Sequence, residues 1–177
     1  MDQHRINSIG VDSSATQIRT TIASKLAPFI VENERANGLE YGAGLCHGAE
    51  LLGLESFEPY PKDHVKPTYT KISHIKKHYD FILCTYVLNV VGEDTRVKIL
   101  KDIKRLLKKK GRAFIVVRGE ADFKGGAKDH IMYKGKTKTY QHGFSFNELA
   151  KLCESVGFKV SKLKGSSAKS IRVSIRA

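Results

Sequence analysis

Apolar residues recur at helical spacing over residues 13–34, where Ile18, Ile22, Leu26 and Ile30 share one face and Ser13 and Ser14 stand at the N-cap position. Pro28 kinks or divides that helix, because its ring cannot continue the hydrogen-bond ladder. The period then shortens. A strand is predicted over 38–41, a turn over 42–44, a short helix over 47–52, and a second strand over 55–58 that Pro59 and Pro61 stop. A weak third strand is predicted over 68–73. Residues 80–85, DFILCT, form a continuous apolar run of the kind buried on both faces. Helix 93–109 carries Val97, Leu100, Ile103 and Leu107 on one stripe, and residues 112–118, RAFIVVR, form another buried strand. Residues 119–143 read as a long Gly/Lys-rich loop. Ser145 caps a helix ending near Val156, with Gly157 as its stop, and strands over 158–163 and 170–175 close the chain.

Seven strands interleaved with helices predict an α/β fold: a mostly parallel sheet with helices on both faces. The last two strands are joined by residues 164–169 alone, and a parallel crossover needs a dozen or more residues. The final strand must therefore run antiparallel to its neighbours. The 177 residues are room for one domain, read as a helical extension over 1–35 and a doubly wound core over 36–177.

Charge sharpens this picture. Residues 1–88 hold 9 Lys/Arg and 10 Asp/Glu, a net of −1, whereas residues 89–177 hold 22 and 8, a net of +14. An excess confined to one half points to a polyanionic partner such as RNA or DNA, or to a lysine-rich solubilising surface. No run of about 18 apolar residues is present, so no spanning helix is expected. The N-terminal residues lack the apolar core of a secretory leader. Cys46, Cys84 and Cys153 are too few and too scattered for a disulfide framework, and the expected compartment is a reducing cytoplasm. Cys46 and His47 are adjacent without a second pair, so no metal site is expected.

The chemistry concentrates in Leu39-Glu40-Tyr41-Gly42-Ala43-Gly44-Leu45-Cys46-His47-Gly48. Two glycines between a strand and a helix let the backbone turn sharply and approach a ligand. A dinucleotide fingerprint, G-x-G-x-x-G, requires glycine where His47 stands, and Gly48 comes one residue late. Glu40 before the turn would repel a pyrophosphate and attract an ammonium group. Glu58, ending the second strand, suits the two hydroxyls of a ribose. A ligand with an amino-acid end and a nucleoside end satisfies both acids, and S-adenosylmethionine is such a ligand.

At these residues the chain resembles the class I S-adenosylmethionine-dependent methyltransferases. EYGAGLCHG is similar to their first motif, (D/E)-x-G-x-G, and Glu58-Pro59 to their second. Residues 79–84 with Tyr86-Val87-Leu88-Asn89-Val90 are similar to their fourth strand and its exit, and Lys110-Gly111-Arg112 to the entry of their fifth. The stretch TYVLNVVGEDTR resembles a small group of phage and bacterial proteins that includes methyltransferases linked to DNA phosphorothioation. The resemblance implies a Rossmann-like seven-stranded sheet with S-adenosylmethionine as cofactor. It places Glu40, Tyr41, Gly42, Ala43 and Gly44 at the methionine end, Glu58 and Pro59 at the ribose, and Thr85 and Tyr86 near the sulfonium and the acceptor. Where the family has an acid on its third strand to read adenine, this chain offers Ser73 or a backbone group.

The tetrapeptide (N/D/S)-P-P-(Y/F) of the DNA amino-methyltransferases and the Pro-Cys of the cytosine C5 enzymes are both absent. The acceptor site must then come from loops. Residues 119–143 interleave Lys124, Lys128, Lys134, Lys136 and Lys138 with Phe123, Tyr133 and Tyr140, a pattern suited to phosphates and stacked bases. Tyr86, Asn89, Tyr140 and His142 are the candidate catalytic residues, although Asn89 is also placed to cap the turn after its strand. The expected function is methyl transfer to a nucleic acid or another polyanion. A small-molecule methyltransferase, or a non-catalytic module binding S-adenosylmethionine or nucleic acid, are the alternatives.

Overall fold

The structure, a computed structural model, describes residues 37–123, 128–134 and 137–176. The helix expected over 13–34 and the residues Lys124 and Lys136 lie outside them. Eight strands are described: β1 Gly38–Tyr41, β2 Glu55–Phe57, β3 Tyr79–Thr85, β4 Leu107–Arg118, β5 Asp129–Lys134, β6 Thr137–His142, β7 Lys159–Lys162 and β8 Ser170–Arg176. The α-helices are α1 His47–Leu52, α2 Glu93–Leu106 and α3 Phe146–Ser155. Six strands form one sheet in the order β2-β1-β3-β4-β8-β7, and β5 and β6 form a separate hairpin. β1 pairs in parallel with both β2 and β3, and β3 with β4. β8 runs antiparallel to β4 and to β7, as the short link before it demands. Because the chain leaves β1 toward β2 on one side and returns to β3 on the other, a crevice opens at the carboxyl ends of β1 and β3.

The sheet is buried on both faces. One carries Leu39, Ile82, Cys84, Ile115, Val173 and Ile175 against Leu100 and Ile103 of α2 and Leu149 and Cys153 of α3. The other carries Phe81, Leu83, Phe114 and Val116, with Leu52 at the end of α1 packed against them. The apolar runs of β3 and β4 are thus strands whose alternate residues serve different cores, the pattern of a central parallel strand. Among the described residues no helix is long and apolar enough to cross a membrane.

Three expectations are corrected. The third strand expected over 68–73 shrinks to one bridge, Tyr69 beside Phe57, followed by a 3-10 turn over Ile72–His74. Thr68 and Ser56 exchange side-chain and backbone hydrogen bonds, Thr68 N donating to Ser56 Oγ at 2.9 Å and Ser56 N to Thr68 Oγ1 at 3.1 Å. Tyr69 N then donates to Ser56 O at 2.9 Å and Glu58 N to Tyr69 O at 3.0 Å, so the free edge of β2 is satisfied by two residues rather than a strand. Second, α2 stops at Leu106, and Lys108, Lys109 and Lys110 belong to β4, where they bulge between the pairs Tyr79–Leu107 and Phe81–Arg112. Lys108 Nζ meets the Asp80 carboxylate at 2.9 Å instead of a helix terminus. Third, the loop expected over 119–143 holds a 3-10 turn, Glu120–Asp122, and the β5–β6 hairpin. The sequence does carry a signal for the hairpin: Gly135-Lys136 is a Gly-X dipeptide between two runs of equal length. The α3 cap is as expected, with Ser145 Oγ accepting from Glu148 N at 3.2 Å.

Gly38 shows how tightly β1 is held against β3. A Cβ there would lie 2.3 Å from Phe81 Cζ, inside the second core. Gly38→Ala should cost about 1–3 kcal/mol through overpacking, lowering Tm by roughly 2–12 °C. Phe81→Leu in the same chain should recover part of that loss. Melting curves of the two variants followed by circular dichroism check both expectations.

Candidate functional site

β1 delivers Glu40 and Tyr41 to the crevice, and the chain then turns back with Gly42 at φ +71° and Gly44 at φ +57°. Both angles are left-handed, where a side chain is strained. Gly42 N and Ala43 N donate to the same carbonyl, Phe57 O, at 2.8 and 3.0 Å, folding the turn across the end of β2. Gly44 N donates to Glu58 Oε2 at 2.7 Å, and Tyr60 N donates to Glu58 Oε1 at 3.0 Å. Glu40 points the other way: its Oε2 accepts from Ala49 N of α1 at 2.6 Å. The late glycine explains this contact, since a Cβ on Gly48 would lie 2.4 Å from Glu40 Oε1. Gly48 therefore makes room for a carboxylate rather than a phosphate. Both acids are buried, Glu40 at 5% and Glu58 at 2% exposure.

A cavity of about 270 Å³ opens over this turn. Glu40, Tyr41, Gly42, Ala43, Gly44, Glu58 and Pro59 line one side, and Thr85 and Tyr86 the other. Tyr86 also takes a left-handed φ, +57°, and its N–H donates to Val116 O at 2.7 Å. A non-glycine residue in that conformation is strained, and among the described residues Cys46, at φ +61°, shares it. Tyr41 donates from its hydroxyl to Asp102 Oδ2 at 3.2 Å. Burial and the Asp102 carboxylate push its ionisation far above the usual tyrosine range, so it stays a neutral donor.

Several lining residues escaped the sequence reading, among them Tyr60, Ile72, Val87, Val90, Lys98 and Asp102. Lys98 and Asp102 carried a usable signal, because they stand four apart on α2 and so share a face. Conversely, Ser73 is exposed on its 3-10 turn, and its neighbour Ile72 lines the cavity. The missing third strand is the cause, since it would have carried residue 73 into the sheet edge.

Asn89, Tyr140 and His142 do not line this cavity. They belong to a second buried polar cluster beside it. Asn89 Nδ2 donates to Gln141 Oε1 at 2.7 Å, and both residues are 1% exposed. Asn89 Oδ1 has no hydrogen-bond partner among the described residues. Arg96 of α2, itself buried, donates from Nε to Leu88 O at 2.8 Å and from NH2 to the Tyr140 hydroxyl at 3.3 Å. Tyr140 donates in turn to Asp129 Oδ1. His142 lies between two carboxylates, Nδ1 at 2.8 Å from Asp129 Oδ1 and Nε2 at 2.6 Å from Glu148 Oε1. Both contacts are hydrogen bonds only when both ring nitrogens carry protons. Burial and the bond to Asp129 push the Tyr140 hydroxyl up to about 12, against the opposing charge of Arg96.

With this geometry in view, a family model described as a methyltransferase domain matches residues 1–163. The chain belongs to that family. Among curated proteins none matches this methyltransferase. Among solved structures it is similar to the CcbJ methyltransferase from Streptomyces caelestis, with 12% identity over 94% of this chain and 95% of that one and a TM-score of 0.69. It is also similar to an S-adenosylmethionine-dependent methyltransferase from Clostridium acetobutylicum ATCC 824, with 11% identity over 98% of both chains and a TM-score of 0.67. The glycopeptide N-methyltransferase MtfA complexed with S-adenosylmethionine shares 12% identity over 87% of this chain and 93% of that one, with a TM-score of 0.62. The expectation of a class I, S-adenosylmethionine-dependent methyltransferase is met at the level of family and fold.

The second cluster should make the stability of the methyltransferase sensitive to acid. Burial raises the Asp129 carboxyl, but hydrogen bonds from Tyr140 and His142, with the charges of His142 and Arg96, bring it below the usual carboxylate range. Glu148 is lowered likewise, burial being outweighed by His142 and then Lys128. Carboxylates depressed on folding contribute stability that is complete above their unfolded values, about pH 4–4.5, and is lost as pH falls through the folded values. Tm should therefore hold down to about pH 5 and decline below it, and Glu148→Gln should lower the plateau while flattening the decline. Melting curves between pH 3 and 7 check this, and equal slopes for both proteins would refute the assignment.

Proposed function

We propose that this methyltransferase uses S-adenosylmethionine as donor and a nucleic acid or another polyanion as acceptor. The observation that carries the donor half is the pair of buried carboxylates, Glu40 and Glu58, held around a left-handed glycine turn at the carboxyl ends of β1 and β2. The donor set fits the cofactor. Glu58 is fixed beside the cavity by Gly44 N and Tyr60 N, one on each oxygen, and a carboxylate so placed is the kind of acceptor that ribose hydroxyls pair with. Glu40 and the turn backbone stand where an amino-acid end would lie. Ile72 and Tyr60 supply apolar surface for a base in the place where the family's acid is missing. The cofactor supplies a methyl group on a cationic sulfur, already activated for in-line displacement. What the chain contributes is alignment and exclusion of water. Thr85 and Tyr86 form the wall at which an acceptor would be presented.

The polyanion half rests on the net +14 of residues 89–177. The pairs of Arg118 with Asp122 and of Lys128 with Glu120 and Glu148 are already counted in that net value, and the pair of Lys108 with Asp80 brings in an acid from the other half. A small-molecule acceptor is the second reading. It is favoured by a cavity wall of Val87, Val90, Val91 and Ile99, with Lys98 the one cation among the described lining residues. Two similar structures are named for a glycopeptide and for magnesium protoporphyrin IX.

Glu58→Ala should weaken S-adenosylmethionine by about tenfold or more, because charge-assisted hydrogen bonds are worth about 1.5–3 kcal/mol each. Glu58→Gln should lose less. Titration calorimetry on the folded variants decides, and wild-type affinity in both would remove Glu58 from the site.

The acceptor is tested separately. Oligonucleotide affinity should fall steeply with salt, and neutralising Lys134, Lys136 and Lys138 together should reduce the salt slope by up to about three contacts. Absence of RNA or DNA binding even at low salt would leave the small-molecule reading.

A further inference from the structure

Part of the cavity wall opposite the glycine turn comes from α2, through Thr95, Lys98, Ile99 and Asp102. The rest is the segment over 85–91, which runs from the last residue of β3 through a 3-10 turn at Leu88–Val90, and Thr85, Tyr86, Val87, Val90 and Val91 all reach the cavity from it. The segment is strained where it starts, at Tyr86. It is also in direct contact with the turn it faces, since a Cβ on Gly42 would lie 2.5 Å from Val87 Cγ2. Displacement of this segment would therefore change the shape of the cavity and the clearance over the glycine turn together.

The main sheet holds the start of the segment, with Thr85 paired to Val116 of β4 and Tyr86 N donating to Val116 O at 2.7 Å, and two further ties hold the part beyond it. Leu88 O accepts from Arg96 Nε at 2.8 Å, and Asn89 Nδ2 donates to Gln141 Oε1 at 2.7 Å. The second tie comes from β6, a strand of a hairpin outside the main sheet. The hairpin is anchored in turn through Tyr140, His142 and Asp129 to Glu148 of α3. An Asn–Gln pair at 1% exposure that leaves Asn89 Oδ1 without a hydrogen-bond partner among the described residues is poor material for a core. Apolar residues of similar volume would fill the space with no orphaned oxygen. What the pair supplies and apolar packing does not is a directional contact that fixes one position of the segment.

We infer that Gln141 is a positioning residue for the cofactor cavity: through Asn89 it braces the segment that carries Thr85 and Tyr86, making the β5–β6 hairpin a support of the site. This rests on the reading of the cavity as the S-adenosylmethionine site.

The experiment compares Gln141→Leu, the double variant Asn89→Leu/Gln141→Leu, and the exchanged pair Asn89→Gln/Gln141→Asn. Three readouts are taken: Tm, affinity for S-adenosylhomocysteine and sinefungin by calorimetry, and amide hydrogen exchange over 85–91. Gln141→Leu strands the Asn89 amide and should lower Tm. The double variant removes both polar groups and should recover most of that Tm. If the pair positions the segment, the double variant still binds both probes about tenfold more weakly and exchanges its 85–91 amides about tenfold faster. The exchanged pair keeps the hydrogen bond and should return both readouts toward wild type. Wild-type affinity and wild-type exchange in the double variant would overturn the inference and leave the pair a core filler. Wild-type protein that binds neither probe would defeat the cofactor reading instead, and the exchange of residues 85–91 would still decide on the brace.

Discussion

A buried carboxylate has to be hydrogen-bonded, and this fold places two of them, from the ends of two neighbouring strands, beside one glycine turn. Glu40 and Glu58 each take a backbone N–H across a turn or a helix start, at 2.6 and 2.7 Å. Those bonds fix where α1 begins relative to β1, and where the glycine turn lies relative to β2. Gly42, Gly44 and Gly48 are required by the same arrangement: the first two by their positive φ, the third by the carboxylate that occupies its missing side chain. Removing either acid would leave a buried N–H without its acceptor, so the site and the local fold have one cause.

The site also depends on elements outside the main sheet. The segment over 86–91 in the wall opposite the acids is not paired as a strand. It is hydrogen-bonded to Val116 of β4, to Arg96 of α2 and to Gln141 of the hairpin. Arg96 is the costly member, because it is a cation at 6% exposure. Tyr140 links it to Asp129, so the buried guanidinium and a carboxylate are joined over a short hydrogen-bonded path that continues through His142 to Glu148.

The sequence was most informative where a residue's neighbours along the chain decide its environment. Strands β3 and β4 announced themselves as apolar runs, the reversal of β8 followed from a loop length, and the acid–glycine pattern located the turn. Legibility failed where partners come from far away. The Thr68–Ser56 exchange that replaces the third strand joins residues whose pairing no local period encodes. Composition hid the hairpin, since Lys and Gly read as loop even when two runs can pair. Asn89, Tyr140 and His142 looked chemical because they are polar and near the right strands. The structure places them outside the cavity of the glycine turn and gives each a side-chain partner, and Tyr140 and His142 line a second pocket together with Arg96 and Asp129. Arg96 gave no signal for the converse reason, because a buried cation is indistinguishable in sequence from an exposed one.

The two rims of the main sheet have a bearing on how this chain behaves in crowded solution. At one rim, β2 is only three residues long, and Tyr69 already occupies hydrogen-bonding groups of Ser56 and Glu58 that a foreign strand would need. At the other, β7 is four residues, Lys-Val-Ser-Lys, with a lysine at each end. Short edges, one already engaged and one charged, are poor templates for edge-to-edge growth. The apolar stretches of β3 and β4 lie in the interior of the sheet order, away from both rims. Aggregation of the native protein through its sheet is thereby disfavoured, and the hazard moves to the interval in folding before β2 and β7 have docked.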